Sequence, residues 1–366
     1  MGQTIEDINC KSLDLKEWGK YSLIKSKEDI LSTMDFGTFE IYPKHFILNN
    51  PIKSKQGFIF NADINPHFLI GDLNKTKNVF FEFNPRVIAR IRNDFSGPVK
   101  TPSWMPGGNL YFGIIANFEC DNSESVITSW FVGYQHHSNG QDSCALKNHH
   151  YDAAIGKCVP NNQYNPDDKF IFNRENGNFS TNIFYIGRLW IIEKPYRKSI
   201  WLITNIERVR SSKKLFIEIH PAGLFGASDL GFLDEFIGYE KELKNRYPFL
   251  RLKFNYDLML LQQGFESKYY KLNTSEKFRF SIKSSVVINS ICNLKNWKPY
   301  NHLNIIARFH LNLFKSSNAG FYIESAFIGS DEYNIFFEDS YYALKIGLHT
   351  GFLGKSEKRI NQKLGI

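Results

Sequence analysis

Along most of this chain, apolar side chains recur at every second position, in runs bounded by Asn, Gly, Asp, Lys or Pro. A period of two places alternate residues on opposite faces of an extended strand. The pattern predicts strands over 57–63, 79–92, 109–119, 126–136, 182–192, 199–209, 234–243, 250–260, 277–289, 302–314, 320–328 and 341–352. Most runs are about ten residues long, the length a tilted strand needs to cross a bilayer, whereas strands of soluble sandwiches average five or six. In 109–119, Leu110, Phe112, Ile114, Ala116 and Phe118 share one face, and Tyr111, Gly113, Asn117 and Glu119 fall mostly on the other. An apolar wall backed by a small or polar one is the requirement of a membrane barrel, with lipid outside and a packed lumen inside. The expected fold is therefore all-β, an antiparallel transmembrane β-barrel of about 12 strands.

No internal repeat or low-complexity linker divides the chain. Residues 1–55 read as an N-terminal extension ending in Phe39-Glu40-Ile41-Tyr42-Pro43-Lys44-His45-Phe46. Residues 56–352 form the barrel, its last run aromatic at both ends, and a polar tail follows over 353–366.

Composition narrows the classes further. With 33 Phe, 18 Tyr and 6 Trp among 366 residues, the chain is too aromatic for a disordered protein and favours strands over helical bundles. No window approaches the ~18 apolar residues of a membrane-spanning helix. The net charge of +8 suits an acidic partner, such as a phosphate-bearing lipid surface. No basic block of the kind that marks nucleic-acid binders is present, so nucleic acid is not expected as a partner. The start, Met1-Gly2-Gln3-Thr4-Ile5, shows neither a secretory signal nor a myristoylation signal; it fits a cytosolic chain or one whose signal has been removed. Among the five cysteines, Cys144 and Cys158 bracket a polar loop that one disulfide would close, implying an oxidising compartment; free thiols are the alternative.

The most specific local feature is Gly133-Tyr134-Gln135-His136-His137-Ser138-Asn139-Gly140. On a strand, His136 and Ser138 share a face with Val126, Thr128, Trp130, Val132 and Tyr134, so they prolong the lipid-facing stripe. Polar groups there are costly for a purely structural role, because hydrocarbon offers them no water. A His as general base beside a Ser nucleophile is the minimal pair for acyl transfer. His137, of opposite parity, should point into the lumen.

This octapeptide closely resembles the active-site strand of outer-membrane phospholipase A, whose pattern is Gly-Tyr-x-His-x-Ser-Asn-Gly. Ser180-Thr181-Asn182-Ile183-Phe184-Tyr185 is similar to the setting of the Asn that completes the family's triad. The resemblance continues in Phe80-Phe81-Glu82-Phe83-Asn84, in Phe39-Glu40-Ile41-Tyr42-Pro43, and in Phe321-Tyr322-Ile323-Glu324-Ser325-Ala326-Phe327-Ile328-Gly329-Ser330. It implies a twelve-stranded barrel in the bacterial outer membrane that hydrolyses acyl esters of membrane phospholipids. Ser138 would be the nucleophile, His136 the base and Asn182 the residue orienting it, with Asn173 in reserve. It also implies a calcium-dependent homodimer, with calcium held by Gln141, Asp142 or Ser143 after the nucleophile and by Asn78 from the partner.

The chain departs from the family in the long insertion after Ser138, which carries Cys144, Cys158, His149 and His150. It reads as a stapled lid or as a decorated loop without a catalytic role. The four His at 136, 137, 149 and 150 invite a zinc reading, but adjacent His on a strand face opposite ways and no zincin Glu accompanies them. Two non-enzymatic readings stand beside the hydrolase: a porin or adhesin that keeps the barrel, and a soluble β-rich binding protein.

Overall fold

The computed structural model describes residues 34–41, 58–65, 68–70, 79–92, 99–119, 124–161 without 142, 145 and 156, then 173, 177, 180–196, 206–221, 248–263, 274–288, 302–313, 320–333 and 340–350. Its strands are β1 (Met34–Ile41), β2 (Phe58–Ile64), β3 (Phe68–Ile70), β4 (Val79–Arg92), β5 (Val99–Glu119), β6 (Glu124–Ser138), β7 (His149–Asp152) and β8 (Lys157–Pro160). They continue as β9 (Ser180–Pro195), β10 (Ile206–Ile219), β11 (Leu250–Gln263), β12 (Thr274–Val287), β13 (Leu303–Asn312), β14 (Gly320–Ile328) and β15 (Tyr341–Thr350).

β7 and β8 form a separate hairpin; the other strands make one antiparallel sheet in the order β2-β1-β15-β14-β13-β12-β11-β10-β9-β6-β5-β4-β3. A further ladder joins β2 to β4, from Phe58↔Arg92 to Ile64↔Val87. Setting aside the short β3, which extends that edge of β4, the ladder returns to its start, and twelve strands each have two neighbours. Closure removes the open sheet edges that could not be satisfied in lipid.

Alternation decides which side chain goes where. On β4, Glu82, Asn84 and Arg90 are buried in the lumen while Phe81 and Phe83 stand exposed outside. On β14, Tyr322, Glu324 and Ala326 point in, and Phe321 and Ile323 point out. The outer wall is thus apolar, as a transmembrane barrel requires. Buried charges are tolerated inside because they pair. Arg86 meets Asp63 at 2.6 Å, Arg90 meets Asp331 at 2.6 Å, and Lys253 bridges Glu218 and Glu332 at 2.9 and 2.7 Å. An apolar cluster of Tyr111, Ile127, Phe131, Leu189, Ile191 and Phe216 fills the lumen beside β5, β6 and β9, and a cavity of about 380 Å³ lies among the charged pairs.

The predicted strands over 79–92 and 320–328 coincide with β4 and β14. Four readings need correction. β1 lies inside the segment read as an N-terminal extension, so the barrel already includes Met34–Ile41, wedged between β15 and β2. β5 starts ten residues before the predicted 109–119, because Pro102, Pro106, Gly107 and Gly108 mask it in the sequence. β10 is displaced from 199–209 to Ile206–Ile219, and its lumen face carries Arg210, Ser212 and Lys214. The predicted strand over 234–243 lies outside the described residues.

The fourth correction concerns the faces of β5. Phe112 pairs with Trp130 but Ile115 pairs with Thr128, so β5 holds one extra residue there, and Gly113 within it has φ +60°. Such a bulge reverses parity beyond it. Ile115 is therefore exposed, whereas Ile114 packs on the lumen cluster.

Candidate functional site

β6 and β9 lie side by side in unbroken register from Ser125↔Glu193 to Ser138↔Ser180, which sets His136 opposite Asn182. Residues directly opposite in an antiparallel pair share a face and meet side by side. That face is the outer wall, where Trp130, Val132 and Tyr134 are exposed. His136 and Ser138 are half-buried, and Asn182 is almost fully covered. His137 points the other way, as its parity predicts, and its Nε2 lies 3.0 Å from Ser103 Oγ in the lumen.

His136 Nδ1 lies 2.9 Å from Asn182 Oδ1. The same oxygen accepts the Tyr134 hydroxyl at 2.7 Å, and the Tyr134 ring packs on Phe184 with centroids 5.3 Å apart. A carbonyl oxygen only accepts, so the imidazole is held with its proton on Nδ1 and a lone pair on Nε2. Nε2 faces a serine hydroxyl, Ser180 Oγ at 3.4 Å. Ser138, opposite Ser180, shares this face but makes no hydrogen bond to His136 among the described residues. On its other flank, Ser138 stands opposite Trp104 of β5, which is 49% exposed.

The reserve candidate Asn173 is elsewhere: its Nδ2 donates to the Cys144 carbonyl at 3.2 Å, and its own carbonyl accepts the Gly177 amide at 3.0 Å. Asn182 is the asparagine that meets the imidazole.

After Ser138 the chain turns through Gly140, at φ +63°. Asn139 fixes this exit: its Nδ2 donates to the Gly177 carbonyl at 2.7 Å and its Oδ1 accepts the Gln141 amide at 3.2 Å. Ser143 bridges Gly177, and Cys144 and Cys158 form the expected disulfide with Cα atoms 5.7 Å apart. The insertion is thus tied to the strand carrying Ser138 at its very first residues.

Of the residues that the resemblance assigns to calcium, Asp142 and Asn78 lie outside the described residues. Gln141 and Ser143 offer neutral oxygens of the kind calcium takes, but two fall short of its six to eight ligands. No group of three His, Cys, Asp or Glu able to hold a metal occurs among the described residues. Three of the four histidines have separate partners: His136 meets Asn182, His137 meets Ser103, and His150 Nδ1 pairs with Asn161 at 2.7 Å.

Sequence reading missed Ser180 and Trp104 as neighbours of the site, and gave Tyr134 a face but not its hydrogen bond to Asn182. Parity alone gives each strand its faces, but only the cross-strand register brings Ser180 to His136 and Asn182 to Tyr134.

No family model and no curated protein matches the chain. Among solved structures it is similar to the translocator domain of the autotransporter NalP from Neisseria meningitidis, at 11% identity and a TM-score of 0.32, over 93% of this chain and 100% of that one. It is also similar to BamA from Haemophilus ducreyi lacking POTRA domains 1–3, at 11% identity and a TM-score of 0.25, over 80% of this chain and 62% of that one. The barrel rests on its own strand pairings.

Proposed function

We propose that this chain is a serine hydrolase of the bacterial outer membrane that cleaves acyl ester bonds of phospholipids, in the manner of phospholipases A1 and A2. The observation that carries the reading is the His136–Asn182 hydrogen bond of 2.9 Å on the apolar outer wall, with serine hydroxyls on the same face. A polar pair facing lipid is a costly way to hold two strands together, which favours a chemical role for a base whose tautomer is fixed.

The position along the barrel supports the substrate. The strand ends at Ser138 and Ser180 belong to the rim that carries the long connections 139–179 and 220–249, whereas β1 begins and β15 ends at the opposite rim. In outer-membrane barrels the long loops are extracellular. The site would then lie at the level of the outer leaflet, with Trp104 and Tyr134 at the depth of the lipid headgroups and esters.

In the proposed reaction, Ser138 attacks the ester carbonyl as His136 Nε2 takes its proton, and Asn182 holds the imidazole through Nδ1. The tetrahedral oxyanion is received by backbone N–H groups around Ser138 and Asn139. His136 returns the proton to the departing lysophospholipid, and water released onto the acyl-serine regenerates the enzyme. A calcium ion and a homodimer follow from the family resemblance; Gln141 and Ser143 would offer the ion oxygen ligands, and its charge would help polarise the ester carbonyl. Fatty-acid release from phospholipid in mixed detergent micelles, lost in His136→Ala, tests the reading. A folded barrel without such release would be the non-enzymatic porin or adhesin instead.

A further inference from the structure

Within the proposed hydrolase, and resting on that reading, we infer that Ser180 is a second nucleophile served by the same base. The family motif points to Ser138, yet the hydroxyl that meets His136 Nε2 is that of Ser180, 3.4 Å away. Register explains how both serines reach one imidazole. Ser138 follows His136 by two residues on β6, and Ser180 precedes Asn182 by two on β9; the pairings His136↔Asn182 and Ser138↔Ser180 close these four side chains into a square on the outer wall. The contact is longer than a well-formed hydrogen bond, as is common before substrate draws a catalytic pair together.

The state of the imidazole favours Ser180 as a donor. Asn182 Oδ1 accepts from Tyr134 and His136, which leaves Nε2 as the acceptor for a serine hydroxyl, and Ser180 Oγ is the one that stands 3.4 Å from it. Ser180 is half-buried rather than enclosed, on the face where acyl chains would lie. The chemistry closes with the groups present. Ser180 Oγ forms a bond to the ester carbonyl carbon while its proton moves to Nε2. The C–O bond to the lysophospholipid breaks, and its alkoxide takes that proton. Water then gives a proton to Nε2 as its oxygen attacks the acyl-Ser180, and the serine leaves with that proton as fatty acid departs.

The test is covalent labelling of the detergent-solubilised barrel with a long-chain sulfonyl fluoride, followed by peptide mapping, in wild type, Ser138→Ala, Ser180→Ala and His136→Ala. The inference expects Ser138→Ala to keep labelling, with the adduct on Ser180, and the double variant Ser138→Ala/Ser180→Ala to lose it together with residual ester hydrolysis. Wild type labelled but Ser138→Ala unlabelled would overturn the role of Ser180 and leave the hydrolase intact. Neither labelling nor hydrolysis in wild type would remove the hydrolase reading itself, and this inference with it. Heat-modifiable migration of every variant controls for folding.

Discussion

One carboxamide oxygen sets the protonation pattern of the site. Asn182 Oδ1 has two lone pairs, and Tyr134 and His136 use both. Removing the base should be the most damaging change: His136→Ala is expected to lower ester hydrolysis about 10²–10⁴-fold, the usual worth of general acid–base catalysis. Asn182→Ala should cost less, because it releases the ring without removing it, and Tyr134→Phe less again, since Asn182 keeps the imidazole as its partner. Initial rates in mixed micelles rank the three. Asn173→Ala should leave the rate unchanged, because Asn173 holds the insertion at Cys144 and not the imidazole. At this scale the sequence was informative within a strand and silent between strands. The spacing of His136 and Ser138 is visible as parity, and Asn182 was reached through the family resemblance. Ser180 and Trp104 join the site through pairings with Ser138 from β9 and β5, which no local pattern encodes.

Glycines control two features of the elements that position the site. Gly133 opens the octapeptide for a packing reason: a Cβ there would meet the Tyr185 ring at 2.0 and 2.4 Å and Asn109 Oδ1 at 2.6 Å. Tyr185 cannot easily retreat, because it packs on Phe131 and Phe216 in the lumen. Gly133→Ala should therefore destabilise the barrel by about 1–3 kcal/mol, the usual cost of overpacking. Gly113 is constrained by its backbone: at φ +60°, a β-branched residue should cost about 1–2 kcal/mol. Urea unfolding in detergent of Gly133→Ala and Gly113→Val measures both. The Gly113 bulge also explains why the alternation of 109–119 described only half of its strand correctly. Reading by two cannot see an inserted residue, so Ile114 was assigned to the lipid and packs toward the lumen. β10 escaped for a different reason. Its lumen-facing charges interrupt the apolar run that sequence reading follows, although Leu215, Ile217 and Ile219 keep the outer stripe.

At the scale of the molecule, closure was legible as a strand count and wall chemistry, while the ion pairs that fill the lumen were not. Arg90 and Asp331 lie far apart in the sequence and meet only when the ladder closes. The membrane setting makes two expectations. Extraction should require detergent, because the outer wall exposes Phe81, Phe83, Ile186, Phe309 and Ile323 among others. If the calcium-dependent homodimer implied by the resemblance operates here, chelation should lower ester hydrolysis without loss of heat-modifiability, and specific activity should rise with protein concentration. Rates independent of calcium and strictly linear in protein would assign the activity to the monomer. The central claim, that this lipid-facing wall carries a hydrolytic base, is tested most directly by fatty-acid release from phospholipid in detergent micelles by wild type and His136→Ala, both checked as folded barrels. Wild type should release fatty acid, and the variant should lose nearly all of that release. No release by the wild-type barrel, or equal release by both, would contradict it.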